Sequence, residues 1–143
     1  MKRDDPIEVL RQVYQMELRI EDLQNRIQFL HEAATRGTAS YAAGRTSGSP
    51  NRSAIERNMV TSIDLERQLE RTRDKLIAKR YRIQNAIDAM RDEGGKRLIE
   101  LRYLDHLSWT AVVTKLGISE AACFRLRKAA LREFLENYQS DSF

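Results

Sequence analysis

Apolar residues recur along this chain in two long helical stripes and then in a shorter, broken pattern near the C-terminus. Val9, Val13, Met16, Ile20, Leu23, Ile27, Leu30 and Ala34 alternate by four and three, the seam of a coiled coil held for more than three heptads. The spacing predicts a first helix over 7–34, roughly 42 Å long. Asp4, Asp5 and Pro6 precede it, and acid with proline suits a helix start. A second helix is expected over 53–92, about 60 Å if straight. There Ile55, Ser62, Leu69, Leu76, Ile83 and Met90 fall seven apart, helped by Met59, Leu65, Ala86 and Ile87. Thr72 and Lys79 weaken the other seam position. Ser53 with Glu56 has the form of a capping box, and Gly94-Gly95 marks the end. Neither stripe can be hidden by its own helix, so an antiparallel hairpin is expected, closed within one chain or paired again across a dimer.

The linking stretch 35–52, TRGTASYAAGRTSGSPNR, loses the pattern. Gly, Ser, Thr and Pro dominate it, with Arg36, Arg45 and Arg52 and no acid. It reads as a flexible connector, the alternative being a basic arm that touches phosphate. Its glycines lack the Gly-Lys-Ser/Thr ending of a phosphate-binding loop.

After Gly95 the spacing changes. Leu98, Ile99, Leu101 and Leu104 predict a short helix ending near Asp105-His106. Ser108–Arg132 then reads as helix, three-residue turn and helix. Trp109, Val112 and Leu116 line one stripe, and Ser108 stands at an N-cap. Gly117 falls where a left-handed residue ends a helix. Ile118 plugs the gap, Ser119 is a second N-cap, and Cys123, Leu126 and Ala130 carry the buried stripe of the last helix. This is the spacing of a DNA-binding helix-turn-helix. Val113 departs from it, standing where a small residue usually lets the two helices approach. A plain helical hairpin shares the same frame.

The flanks narrow the choice. Leu101-Arg102-Tyr103 upstream, the helix-turn-helix itself, and Lys128-Ala129-Ala130-Leu131-Arg132 downstream together resemble region four of bacterial sigma factors over residues 96–138. The long helical N-terminal half looks more like small phage and prophage proteins carrying such a domain, including the RinA/ArpU group of transcription regulators. The resemblance implies that the start of the last helix meets base edges. It places Ser119, Glu120, Ala121, Phe124 and Arg125 at the DNA, with Lys128 and Arg132 toward the backbone. The chain departs from sigma factors here, since Ala121 and Phe124 replace long polar or basic side chains. Arg125 could reach guanine O6 and N7, and Phe124 or Ala121 a thymine methyl. On the other reading, Phe124 docks on protein.

Composition adds limits. The 143 residues are 41% hydrophobic and 32% charged, with a net charge of +4, as in a helix-rich protein with a modest core. Residues 6–35 are acidic on balance and 66–82 basic, and opposite signs on facing helices favour pairing. The basic run Arg71–Arg82 reads as the solvated, salt-bridged face of the hairpin, the alternative being a track along nucleic acid; Tyr81 within it reads as interface or packing. The N-terminus lacks an apolar signal core and no stretch is long and apolar enough for a membrane. One cysteine excludes an internal disulfide and fits a reducing cytoplasm. Cys123 reads as a core residue, His31 as a surface residue, and His106 as a cap or a solvent-facing group. There is no metal-ligand spacing and no close nucleophile-base set, so neither enzyme chemistry nor a cofactor is expected.

The expectation is therefore an all-α protein. A long antiparallel coiled-coil hairpin occupies 1–93 and a small trihelical helix-turn-helix unit 94–143, with the tail after Tyr138 frayed. Its partners would be double-stranded DNA, a second copy through the coiled coil and, by the sigma resemblance, RNA polymerase. The competing class is a non-enzymatic assembly or adaptor protein, such as a phage packaging subunit, that uses the motif for docking.

Overall fold

The computed structural model describes the backbone of residues 5–42 and 48–140 and the side chains of 5–36 and 52–139. The described residues are helical throughout their regular elements: α1 (Pro6–Ala42), α2 (Gly48–Asp88), α3 (Glu93–Ile99), α4 (Trp109–Leu116) and α5 (Glu120–Ser140). One π-helical turn, Glu100–Leu104, continues α3. The fold is all-α, with a long first helix packed against a second. The chain divides into two compact units, Met16–Lys75 and the pair Met1–Gln15 with Leu76–Phe143.

In the Met16–Lys75 unit, α1 and α2 run antiparallel around Leu23, Ile27 and Leu69, flanked by Ile20 and Leu65. Arg19 donates to Gln68 Oε1 at 3.4 Å, and His31 Nε2 lies 2.9 Å from the hydroxyl of Ser62. Ser62 is a polar residue on an apolar seam and is buried; His31 meets the hydrogen-bonding need that burial creates. His31 itself is exposed, with Glu66 Oε1 at 3.4 Å. Arg19 and Arg26 pair with Asp22 of their own helix at 3.0 and 3.2 Å. Exposed pairs of this kind stabilise little, so apolar seams, more than charge, hold this pairing.

The other unit carries the larger core. Val9, Leu10 and Val13 of α1 and Ile83, Ala86 and Ile87 of α2 are buried together with Leu98, Ile99, Val112, Cys123, Phe134 and Tyr138. Asp5, beside Pro6, starts α1 by accepting the Ile7 amide at 3.0 Å; Asp4 lies outside the described residues. Lys79, on a seam position, donates to Gln12, which explains how a lysine sits half-buried there.

Several expectations about helix ends are corrected. Residues 35–42 and 48–52 belong to α1 and α2, so the flexible connector does not extend over them; 43–47, with Arg45, lie outside the described residues. Thr35 donates to the His31 carbonyl at 2.9 Å, and the alanines that follow favour helix more than the scattered glycine opposes it. Ser53 is therefore interior, not a cap. Its carbonyl accepts from Arg57, while Glu56 lies 3.6 Å from Arg52. At the other end α2 stops at Asp88, and Gly94-Gly95 stand in the first turn of α3. Asp92 caps that turn by accepting the Gly94 amide at 3.2 Å. Gly95 is small for packing: a Cβ there would lie 3.1 Å from the Ala130 Cβ. Met59, expected beside the seam, is exposed, as is Tyr81. Gln139 and Ser140 continue α5, and Tyr138 is buried under it, so the helix does not fray there; 141–143 lie outside the described residues.

Candidate nucleic-acid interface

The helix-turn-helix frame forms where its spacing placed it. Ser108 accepts the Ala111 amide at 3.2 Å and opens α4. Gly117 closes it with φ 66° and ψ 34°, a left-handed conformation that costs other residues about 1–2 kcal/mol. Ser119 accepts the Ala122 amide at 3.1 Å and opens α5. Val112 and Cys123 are buried where the helices cross, with Leu116, Ile118 and Leu126 packed around them. Cys123 is a free, buried thiol.

Trp109 is half-buried rather than sunk in the core. The Arg102 and Arg127 guanidiniums lie 4.7 and 5.3 Å from its ring centroid, and Tyr103 meets it edge-on at 6.4 Å. Arg127 Nε donates to the Tyr103 hydroxyl at 3.1 Å, and Arg102 donates to the Leu107 carbonyl at 2.8 Å. These contacts tie the π-helical turn to both helices of the motif. Arg127 of α5 thereby meets Trp109 of α4 directly.

Ser119, Glu120, Ala121, Phe124, Arg125, Lys128 and Arg132 are all exposed. Positions 121, 124, 125, 128 and 132 follow helical spacing, so they share one face of α5; Ser119 and Glu120 stand at its N-terminal end. Phe124 is 55% exposed, with the Lys128 ammonium 4.9 Å from its ring centroid. This is a cation–π contact on an open surface, worth about 0.5–1 kcal/mol. It leaves the lysine charge outward. A hollow of about 370 Å³ lies beside Phe124, lined by Trp109, Val113, Cys123 and Arg127. Val113, the residue that breaks the usual small-residue rule, forms part of that wall. The face thus offers two guanidiniums, Arg125 and Arg132, and the Lys128 ammonium around an aromatic ring, with the helix N-terminus close by. Such a surface can neutralise phosphates and present one bidentate donor to a base edge.

Residues 47–135 match a family model described as a protein of unknown function, DUF1492. The chain belongs to the DUF1492 family. The match covers well over half of the chain. In this DUF1492 protein it takes in α2, α3, the π-helical turn, α4 and all seven residues of the exposed face. No curated protein and no solved structure matches the chain.

Among the described residues of the DUF1492 chain, no group of three or more His, Cys, Asp or Glu is placed to hold a metal ion. No helix among them is long and apolar enough to cross a membrane. The sequence reading overlooked the stacking of Arg102 and Arg127 on Trp109. The only signal in the sequence is Arg102 between Leu101 and Tyr103, a charge within an apolar run; Arg127, beside Lys128, carries none. His106, expected as a cap or solvent-facing, is exposed but has φ 57°. Its ring lies 4.7 Å from that of Tyr14.

Proposed function

We propose that this protein is a non-enzymatic, DNA-binding transcription regulator of the cytoplasm. On this reading it is phage or prophage encoded and similar to sigma region four in the way it meets a promoter. The first part of α5 enters the major groove. Arg125 reads base edges, Phe124 and Ala121 pack on thymine methyls, and Lys128 and Arg132 neutralise phosphates. RNA polymerase is the second partner implied by the sigma resemblance. Exposed Phe29, Met59, Val60 and Ile63 give the hairpin apolar surface for self-association, which would set the distance between two half-sites. The single observation that carries the reading is the exposed 121-124-125-128-132 face on a helix-turn-helix whose helices are capped by Ser108 and Ser119.

The test compares two variants on a selected duplex and on random duplex. Arg125→Ala should weaken the selected duplex by about 1–3 kcal/mol while changing random duplex little. Lys128→Ala should weaken both alike and lower the salt slope by about one. Equal, negligible effects of both substitutions would defeat the proposal.

The exposure of Phe124 beside a hollow favours a second reading, an assembly or adaptor protein that docks a protein side chain there. In that case Phe124→Ala abolishes partner capture, and duplex binding is absent at moderate salt.

A further inference from the structure

A cavity of about 440 Å³ opens between the start of α1 and the π-helical turn, with Trp109 and Arg127 in its wall. It lies wholly within one compact unit. Ile7 and Leu10 supply apolar wall, and Tyr14, Tyr103 and His106 supply aromatic wall. Its volume falls in the range of about 300–1,000 Å³ typical of small-molecule sites.

The charge of the lining is one-sided. Arg11, Arg102 and Arg127 all face the cavity, and no Asp or Glu lines it. Arg11 is partly compensated by Glu8 at 3.5 Å. Arg102 and Arg127 meet no carboxylate among the described residues: their partners are a carbonyl, a hydroxyl and the indole ring. Each guanidinium has five N–H donors, and each uses one of them in these hydrogen bonds. Two half-buried cations sharing one ring repel each other, and removal from bulk water raises the cost. A ligand that carries negative charge and accepts several hydrogen bonds would relieve both penalties. His106 adds to the site through its left-handed backbone, a conformation that costs of order 1–3 kcal/mol in non-glycine residues and clusters at ligand sites.

We propose that this cavity binds a nucleotide phosphate, held by Arg102 and Arg127, with the base or sugar resting against Tyr14 and Tyr103. Phosphate matches the geometry: guanidinium forks pair with its oxygens bidentately, and the aromatic wall suits a ring carried by the same molecule. The chemistry is common to a free nucleoside monophosphate and to a nucleotide unit of a strand. The site does not depend on the α5 face, so it can stand or fall apart from the regulator reading.

Trp109 is the sole tryptophan and reports the site directly. The full-length protein is titrated with AMP, inorganic phosphate, adenosine and a blunt duplex lacking terminal phosphates, and Trp109 fluorescence is followed. A saturable change with AMP, displaced by inorganic phosphate and absent with adenosine, is the expected result. Arg127→Gln should weaken AMP about tenfold or more. Arg11→Gln, on the exposed rim, should weaken it less and keeps the test open if Arg127→Gln fails to fold. Displacement of AMP by the duplex identifies the strand as the source of the phosphate, and persistence of AMP binding identifies the free nucleotide. No saturable response to AMP or phosphate, or equal affinity in wild type and both variants, overturns the proposal.

Discussion

Phe134→Ala is expected to destabilise the Trp109-containing unit by about 3–5 kcal/mol. Phe134 has no exposed surface. Its ring stacks on Tyr138 at 5.7 Å between centroids and 28° between planes, and Tyr138 in turn lies under the Arg82 guanidinium at 3.9 Å. Phe134 belongs to a single core to which α1, α2, α3, α4 and α5 all contribute, so truncation leaves a void that no single helix can be expected to close by shifting. The loss of transfer free energy and the unfilled cavity therefore add. Urea unfolding followed by Trp109 fluorescence measures the effect: the midpoint should fall by more than 1 M, given slopes of about 1–3 kcal/mol per molar for small proteins. A loss below about 1 kcal/mol would mean that this ring is not central to the packing.

Gly95→Val should cost about 2–3 kcal/mol, whereas Gly94→Ala should be neutral or slightly stabilising. The two glycines are adjacent and look equivalent in the sequence. A Cβ on Gly95 would meet Ala130 Cβ at 3.1 Å, Asp92 Oδ2 at 3.3 Å and Met90 Cε at 3.4 Å. A Cβ on Gly94 would meet nothing closer than 3.6 Å. Alanine at 94 lowers the entropy of the unfolded chain at no steric cost. Valine at 95 wedges α3 away from α5, and such overpacking costs about 1–3 kcal/mol, with a branched side chain near the upper end. Ala130→Gly in the same chain removes the nearest obstacle, so the double variant should be more stable than the sum of the single losses implies. Strict additivity would show that the α3–α5 approach is not what limits residue 95.

The two glycines also mark where sequence reading stopped. Gly94-Gly95 has the composition of a helix stop, yet Asp92 turns it into a helix start, because its carboxylate accepts the free Gly94 amide of the first turn. Periodicity identified which side of each helix is buried: none of the α1 seam residues, Val9 to Ala34, is fully exposed. It carries no information about the partner. Val9, Leu10 and Val13 share a core with Phe134 and Tyr138, more than a hundred residues away, so the unit around the helix-turn-helix reaches beyond 94–143. The motif itself was legible because each part has a local cause: hydroxyl caps at Ser108 and Ser119, a left-handed residue at Gly117, small and apolar positions at Val112 and Cys123. The stacking of Arg102 and Arg127 on Trp109 depends on a π-helical turn and on a left-handed histidine, neither of which leaves a periodic trace. The extent of α1 beyond residue 34 is hidden in the sequence because Thr35, Gly37 and Thr38 have low helix propensity, and a helix already formed continues through them.

The role proposed for the α5 face is tested most directly by selecting duplexes from a randomised pool with the full-length protein. The affinity of the recovered sequence is then measured against random duplex at 0.15 M salt, a concentration of roughly physiological strength. A regulator that reads bases through Phe124 and Arg125 should bind the recovered sequence about a thousandfold or more tightly. Recovery of no common sequence, with equal affinities for all duplexes or none for any, would contradict the assignment of that face to DNA.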